Sequence, residues 1–143
     1  MLVSQIMSRK VVTVEMDDTL RVINDIFMHV RFHHLLVVKN KALVGVISDR
    51  DFLKAISPFI NTLSERNQDR ATLNIRAHQI MTREPFTVLK NEQVEHAAEK
   101  MVKKNISCLP VVSEKGKIEG IVTVKDIIRW NVLKKKKDEI HEN

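Results

Sequence analysis

Gly45-Val46-Ile47-Ser48-Asp49-Arg50-Asp51 recurs as Gly120-Ile121-Val122-Thr123-Val124-Lys125-Asp126, and this recurrence decides the fold. Each stretch runs from a glycine through β-branched apolar residues to a hydroxyl residue, with an aspartate three positions later. The first half reads as a buried strand and the second as the start of a helix near Asp51 or Asp126, where Asp is favoured as an N-cap.

Moving outward, Ile6-Met7-Ser8-Arg9 matches Ile80-Met81-Thr82-Arg83, Val12-Thr13-Val14 matches Phe86-Thr87-Val88, and Leu35-Leu36-Val37-Val38 matches Leu109-Pro110-Val111-Val112. Four blocks in one order, with a single-residue slip before Gly120, make the chain an internal duplication. Each copy predicts β-α-β-β-α. A strand around Val11–Val14 leads to Asp17-Asp18, a natural N-cap region, and then Leu20, Ile23, Phe27 and Val30 follow at helical spacing. In the second copy Asn91 opens the helix, and Val94, Ala97, Met101 and Val102 form its stripe. Two β-rich runs, Leu35–Val38 and Leu43–Ile47, are joined by a Lys-Asn-Lys turn; Glu114-Lys115-Gly116 is its counterpart. Met7, Met28, Met81 and Met101 read as core fill.

The expected fold class is therefore α/β (α+β), two β-α-β-β-α repeats packed about a pseudo-two-fold axis, because neither copy is large enough to bury its own sheet. The boundaries read 1–56 for the first repeat, 57–77 for a polar, helical inter-repeat linker, 78–133 for the second repeat and 134–143 for a basic tail.

Composition narrows the function. Of 143 residues 43% are apolar, enough for a core, and 29% are charged, so global disorder is excluded. No apolar run could span a bilayer, and Met1 to Lys10 lacks the layout of a secretory signal, so a cytoplasmic protein is expected. One cysteine excludes a disulfide framework or a cysteine-only metal cage. Net charge is +6, much of it in Lys134-Lys135-Lys136-Lys137, which raises nucleic acid as a partner. Aromatics at 4%, with no tyrosine, are poor material for base stacking, so the run reads as a solvated helix end or tail. No Walker loop, nucleophile elbow or catalytic carboxylate pair is present, so no enzyme is expected. His29, His33 and His34 invite a metal reading, but no cysteine or carboxylate completes the set. Cys108 reads as a small buried residue.

The duplicated Thr-Val strand, Leu-Pro-Val-Val strand and Gly-to-Asp turn resemble a tandem pair of cystathionine-β-synthase (CBS) domains, often called a Bateman module. The resemblance covers nearly the whole chain apart from the linker and the tail. The resemblance implies an adenine nucleotide (AMP, ADP or ATP) bound between repeats, with Asp51 and Asp126 on the ribose hydroxyls and Ser48 and Thr123 beside them. Helix-start amides would favour phosphate, aided by Arg50 and Lys125. In the family the sites are crossed. One would pair Thr123, Lys125 and Asp126 with Val12, Phe32, His33 and His34; the other would pair Ser48, Arg50 and Asp51 with Phe86, Ile106, Ser107 and Cys108. Leu36 departs from the family's proline, a change expected to affect strand-edge stiffness more than ligand chemistry. The resemblance further implies a homodimer, and a regulated partner on a separate polypeptide. The rival readings are a ligand-free dimerising scaffold, an S-adenosylmethionine sensor, or nucleic-acid binding through the basic tail.

Overall fold

A computed structural model describes residues 1–142; Asn143, the last residue of the expected tail, lies outside the described residues. The chain forms two compact bodies, Val12–Pro85 and Met1–Val11 together with the chain from Phe86 onward. Both are mixed α+β, as the duplication requires.

The first body carries β1 (Thr13–Glu15), α1 (Leu20–His29), β2 (His34–Lys39), β3 (Ala42–Ser48) and α2 (Asp49–Ala55), the expected order. β1 runs parallel to β2, with Thr13 beside Leu36, and β2 is antiparallel to β3, with His34 beside Ser48. Asn40 and Lys41 both take positive φ, the conformation a two-residue hairpin turn demands. Val14, Leu20, Ile23, Leu35, Val37, Ile47 and Phe52 form the core, with the rings of Phe27 and Phe52 5.5 Å apart. After an exposed loop come α3 (Asn67–Ala71), a 3-10 turn (Thr72–Asn74), α4 (Ala77–Ile80) and β4 (Thr82–Arg83). Leu73 and Ala77 are buried, so the expected linker packs on this body.

The second body repeats the plan with β5 (Val88–Leu89), α5 (Val94–Lys104), β6 (Cys108–Val112), β7 (Ile118–Thr123) and α6 (Val124–Glu142). Val3, Val88, Ala97, Met101, Leu109, Val111 and Val122 are its core. The ladder irregularity between Val37 and Val38 recurs between Val111 and Val112, so the duplication extends to the bulges. Residues 134–142 of the expected tail are the last turns of α6.

The bodies exchange their leading segments relative to the sequence repeats 1–56 and 78–133. Met7 and Ser8, which open the first repeat, lie on β7 of the second: Ser8 and Ile121 exchange backbone hydrogen bonds at 2.9 Å. Met81 and Thr82, which open the second, lie on β3 of the first, with Val46 beside Thr82. The glycines that begin the two quoted stretches make room for this. A Cβ on Gly45 would meet Met81 Sδ at 2.5 Å, and one on Gly120 would meet the Ser8 carbonyl at 2.6 Å.

Several local expectations need correction. Asp17-Asp18 and Asn91 do not cap α1 and α5; the N-cap positions are Thr19 and Gln93. Asp18 instead closes the turn after β1 by accepting from the Glu15 amide at 2.7 Å, and Glu92 does the same for Leu89 at 2.6 Å. Val102 is 81% exposed, outside the stripe to which periodicity assigned it, and Met28, read as core fill, is 75% exposed. Leu36 lies on the interior strand β2, so its departure from proline acts inside the sheet and not at its edge.

Candidate functional site

Both quoted stretches end in the same device. Ser48 is the N-cap of α2, and its hydroxyl accepts from the Asp51 amide at 3.1 Å while the Ser48 amide donates to Asp51 Oδ2 at 2.9 Å. This reciprocal capping box satisfies two amides that would otherwise be orphaned at a helix start. In the second body the Thr123 amide donates to Asp126 Oδ2 at 2.9 Å and the Asp126 amide to Thr123 Oγ1 at 3.3 Å, with Thr123 Oγ1 itself 3.0 Å from Oδ2. The hydroxyl residues are thus the caps, and the aspartates are the third helical residues that lock them. Each aspartate uses Oδ2 for its own turn. Asp51 Oδ1 stays outside the box, and Asp126 Oδ1 lies 3.6 Å from Arg129 Nη1.

The segment before each central strand closes the same turn. The Asp49 amide donates to the His33 carbonyl at 2.9 Å, and the Val124 amide donates to the Ser107 carbonyl at 2.9 Å. Register then sets His34 beside Ser48 and Cys108 beside Thr123. Within the first body this gathers His33, His34, Ser48 and Asp51; within the second it gathers Ser107, Cys108, Thr123 and Asp126.

The two histidines differ. His33 is exposed, and its Nδ1 lies 2.9 Å from Asp49 Oδ2. Half-buried His34 has its pKa lowered by burial first, with His33 adding and with Asp49 and Asp51 opposing. Near neutrality His34 is therefore a neutral hydrogen-bonding ring, not the cation that basic residues at this place would supply. Among the described residues no group of three or more His, Cys, Asp or Glu side chains is placed to hold a metal ion.

The other sequence-named residues take varied places. Arg50 and Lys125 are exposed on the first turns of α2 and α6, Val12 and Phe32 are half-buried, and the Val12 carbonyl accepts from the Leu36 amide at 3.0 Å. Phe86 is exposed beneath Lys104 Nζ, 4.9 Å from its ring centre. Ile106 packs against the second core, and Cys108 is buried. Asp49 and Arg129 were missed by sequence reasoning. Arg129 was findable, because it stands one helical turn beyond Asp126, within ion-pairing distance.

The CBS domain family model matches residues 3–58 and 77–132. A CBS domain-containing protein of Dictyostelium discoideum is 38% identical over 132 residues, which cover 89% of this chain and 88% of that one. The crystal structure of the CBS domain pair of protein MJ0100, in complex with 5′-methylthioadenosine and S-adenosyl-L-methionine, superposes with a TM-score of 0.77 at 32% identity, covering 94% and 98% of the two chains. The CBS domain protein PAE2072 from Pyrobaculum aerophilum, complexed with AMP, gives 0.72 at 27% identity, covering 88% and 89%. Several other curated relatives are longer. This chain covers 36% of a relative from Methanocaldococcus jannaschii and 21% of a homoserine O-acetyltransferase from Methanosarcina acetivorans.

Proposed function

The chain belongs to the CBS domain family, with two repeats, and on that premise we propose that it is a regulatory module that binds an adenosine-containing ligand at its Ser/Thr-to-Asp turns. The observation that carries this reading is the matched pair of capping boxes. Each fixes an aspartate by one oxygen and keeps the other out of the turn, where Asp126 Oδ1 faces Arg129 Nη1 at 3.6 Å. A carboxylate oxygen held in this way accepts from vicinal ribose hydroxyls without first losing side-chain freedom.

The ligand in this reading is an adenine nucleotide, AMP, ADP or ATP, supported by the AMP complex of PAE2072. One ligand would be held by Thr123, Lys125 and Asp126 with Val12, Phe32, His33 and His34, and the other by Ser48, Arg50 and Asp51 with Phe86, Ile106, Ser107 and Cys108, as the family resemblance implies. S-adenosylmethionine is the second reading. It is favoured by the similarity to the pair from MJ0100 and by a His34 that carries little charge for a phosphate to meet.

The regulatory output would be a ligand-dependent change read by a separate protein. Val124, Ile128 and Val132, exposed at four-residue spacing on α6, support a homodimer through helices. No helix among the described residues is long and apolar enough to cross a membrane.

Titration calorimetry with AMP, ADP, ATP, S-adenosylmethionine and 5′-methylthioadenosine tests the reading on the wild type, Asp51→Ala and Asp126→Ala. Saturable binding by at least one ligand, weakened in an aspartate variant, is the expected result. Heat-silent titrations throughout, or affinities untouched in both variants, would overturn it.

A further inference from the structure

An open groove of about 600 Å³ lies against α6 and reaches Asp126, with Ile6, Glu95, Arg129, Trp130 and Lys134 in its walls. Asp126 Oδ2 is committed to the Thr123 turn, and Arg129 sits 3.6 Å from Oδ1, the oxygen that the turn leaves over. The Asp126 side chain is 16% exposed and that of Arg129 62%, so the guanidinium reaches its partner from the solvent side and is able to swing away. Lys54 holds the corresponding place in the first repeat, and among the described residues it makes no ion pair with Asp51. Glu95 and Asp138 also line the groove, as do Lys137 and Lys134, whose Nζ is 5.2 Å from the centre of the Trp130 ring.

We propose that Arg129 sets the preference of the Asp126 turn for phosphorylated over unphosphorylated adenosines. The inference rests on the adenosine reading above. A neutral adenosine whose ribose hydroxyls take Asp126 Oδ1 breaks the ion pair and leaves the guanidinium without an anion. A 5′-phosphate on the same ribose replaces the lost carboxylate, and a planar guanidinium matches phosphate with two parallel hydrogen bonds. The exchange conserves one ion pair for AMP and destroys it for an uncharged analogue, so Arg129 discriminates between them. The Asp51 turn, where among the described residues Lys54 makes no ion pair with Asp51, has no such exchange.

The test is titration of AMP and 5′-methylthioadenosine into the wild-type protein, Arg129→Gln, Arg129→Lys and Lys54→Gln, with thermal melts to confirm folding. Arg129→Gln should weaken AMP about tenfold, on the scale of one charge-assisted contact, and leave 5′-methylthioadenosine unchanged or tighter. Arg129→Lys should fall between, and Lys54→Gln should leave the ratio alone. Equal effects of Arg129→Gln on both ligands would overturn the proposal while leaving the adenosine reading in place. Wild-type protein that binds neither ligand would end that reading and this proposal with it.

Discussion

Asp126 Oδ2 receives both the backbone amide and the hydroxyl of Thr123, at 2.9 and 3.0 Å, whereas among the described residues its counterpart Asp51 Oδ2 accepts from the amide of Ser48 and not from its hydroxyl. The second turn is thus the more tightly held, and its aspartate serves fold and candidate site at once. Asp126→Ala should cost about 1 kcal/mol in urea unfolding, the usual size of a lost helix cap. Asp126→Asn keeps an acceptor oxygen for the Thr123 amide, so it should recover most of that stability while losing adenosine affinity, because the charge that ribose hydroxyls would meet is gone. Parallel loss or parallel retention of both properties in Asp126→Asn would show that cap and site are not separable in this way.

Gly45 and Gly120 separate by what a methyl group would strike. At Gly120 it meets a backbone carbonyl, that of Ser8, at 2.6 Å; at Gly45 it meets side-chain atoms of Met81, from Sδ at 2.5 Å to Cβ at 3.0 Å. Gly120→Ala should therefore cost roughly 2–3 kcal/mol and Gly45→Ala about 1 kcal/mol, within the range of overpacking penalties. The double variant Gly45→Ala/Met81→Ala should cost less than its two parts together, because each change relieves the other. Chemical denaturation of the wild type, Gly120→Ala, Gly45→Ala, Met81→Ala and the double variant checks the order, and equal costs at the two glycines would contradict it.

Much of this was legible in the sequence because the duplication tests each reading twice. Leu35–Val38 and Leu109–Val112 mark buried strands by composition alone, and the Gly-to-Asp stretches located both helix starts. Local chemistry did less well where two roles share one residue type. Asp18 and Asn91 look like helix starts, but Asp18 and Glu92 close the turn before the helix, a distinction set by backbone geometry and not by residue identity. Periodicity placed Val102 on a buried face because helical spacing tolerates a neighbour one residue along, and only packing decides between them. The exchange of leading segments was beyond reach: Met7 and Met81 look equivalent, and nothing in their spacing says whose glycine each will cover.

His34 gives the fold a pH dependence of known sign. Burial holds its folded pKa below the ordinary value of 6.5, with His33 acting in the same sense and Asp49 and Asp51 against it. As pH falls through that value the unfolded chain takes up the proton first, so stability is flat above it and declines below it. The wild type should lose more melting temperature between pH 7.5 and pH 5.5 than His34→Gln, which has no ring to protonate. Identical losses in the two proteins would place the origin of the pH dependence elsewhere.

Leu36 and Pro110 occupy matched positions, and the difference between them shows in the sheets. The Leu36 amide donates to the Val12 carbonyl at 3.0 Å, and the parallel ladder of β1 with β2 starts at Thr13 beside Leu36. Pro110 has no amide to give, and the corresponding ladder of β5 with β6 starts one residue later, at Val88 beside Val111. Leu36→Pro should impose the shorter ladder on the first body. It removes that hydrogen bond and shrinks a side chain that is 1% exposed, for a combined cost of roughly 3 kcal/mol. Leu36→Val keeps the amide and loses only volume, at about 1 kcal/mol. Amide hydrogen exchange should then show faster exchange along Thr13–Glu15 in Leu36→Pro but not in Leu36→Val. If the two variants exchange and unfold alike, the ladder's length is set by something other than the amide at this position.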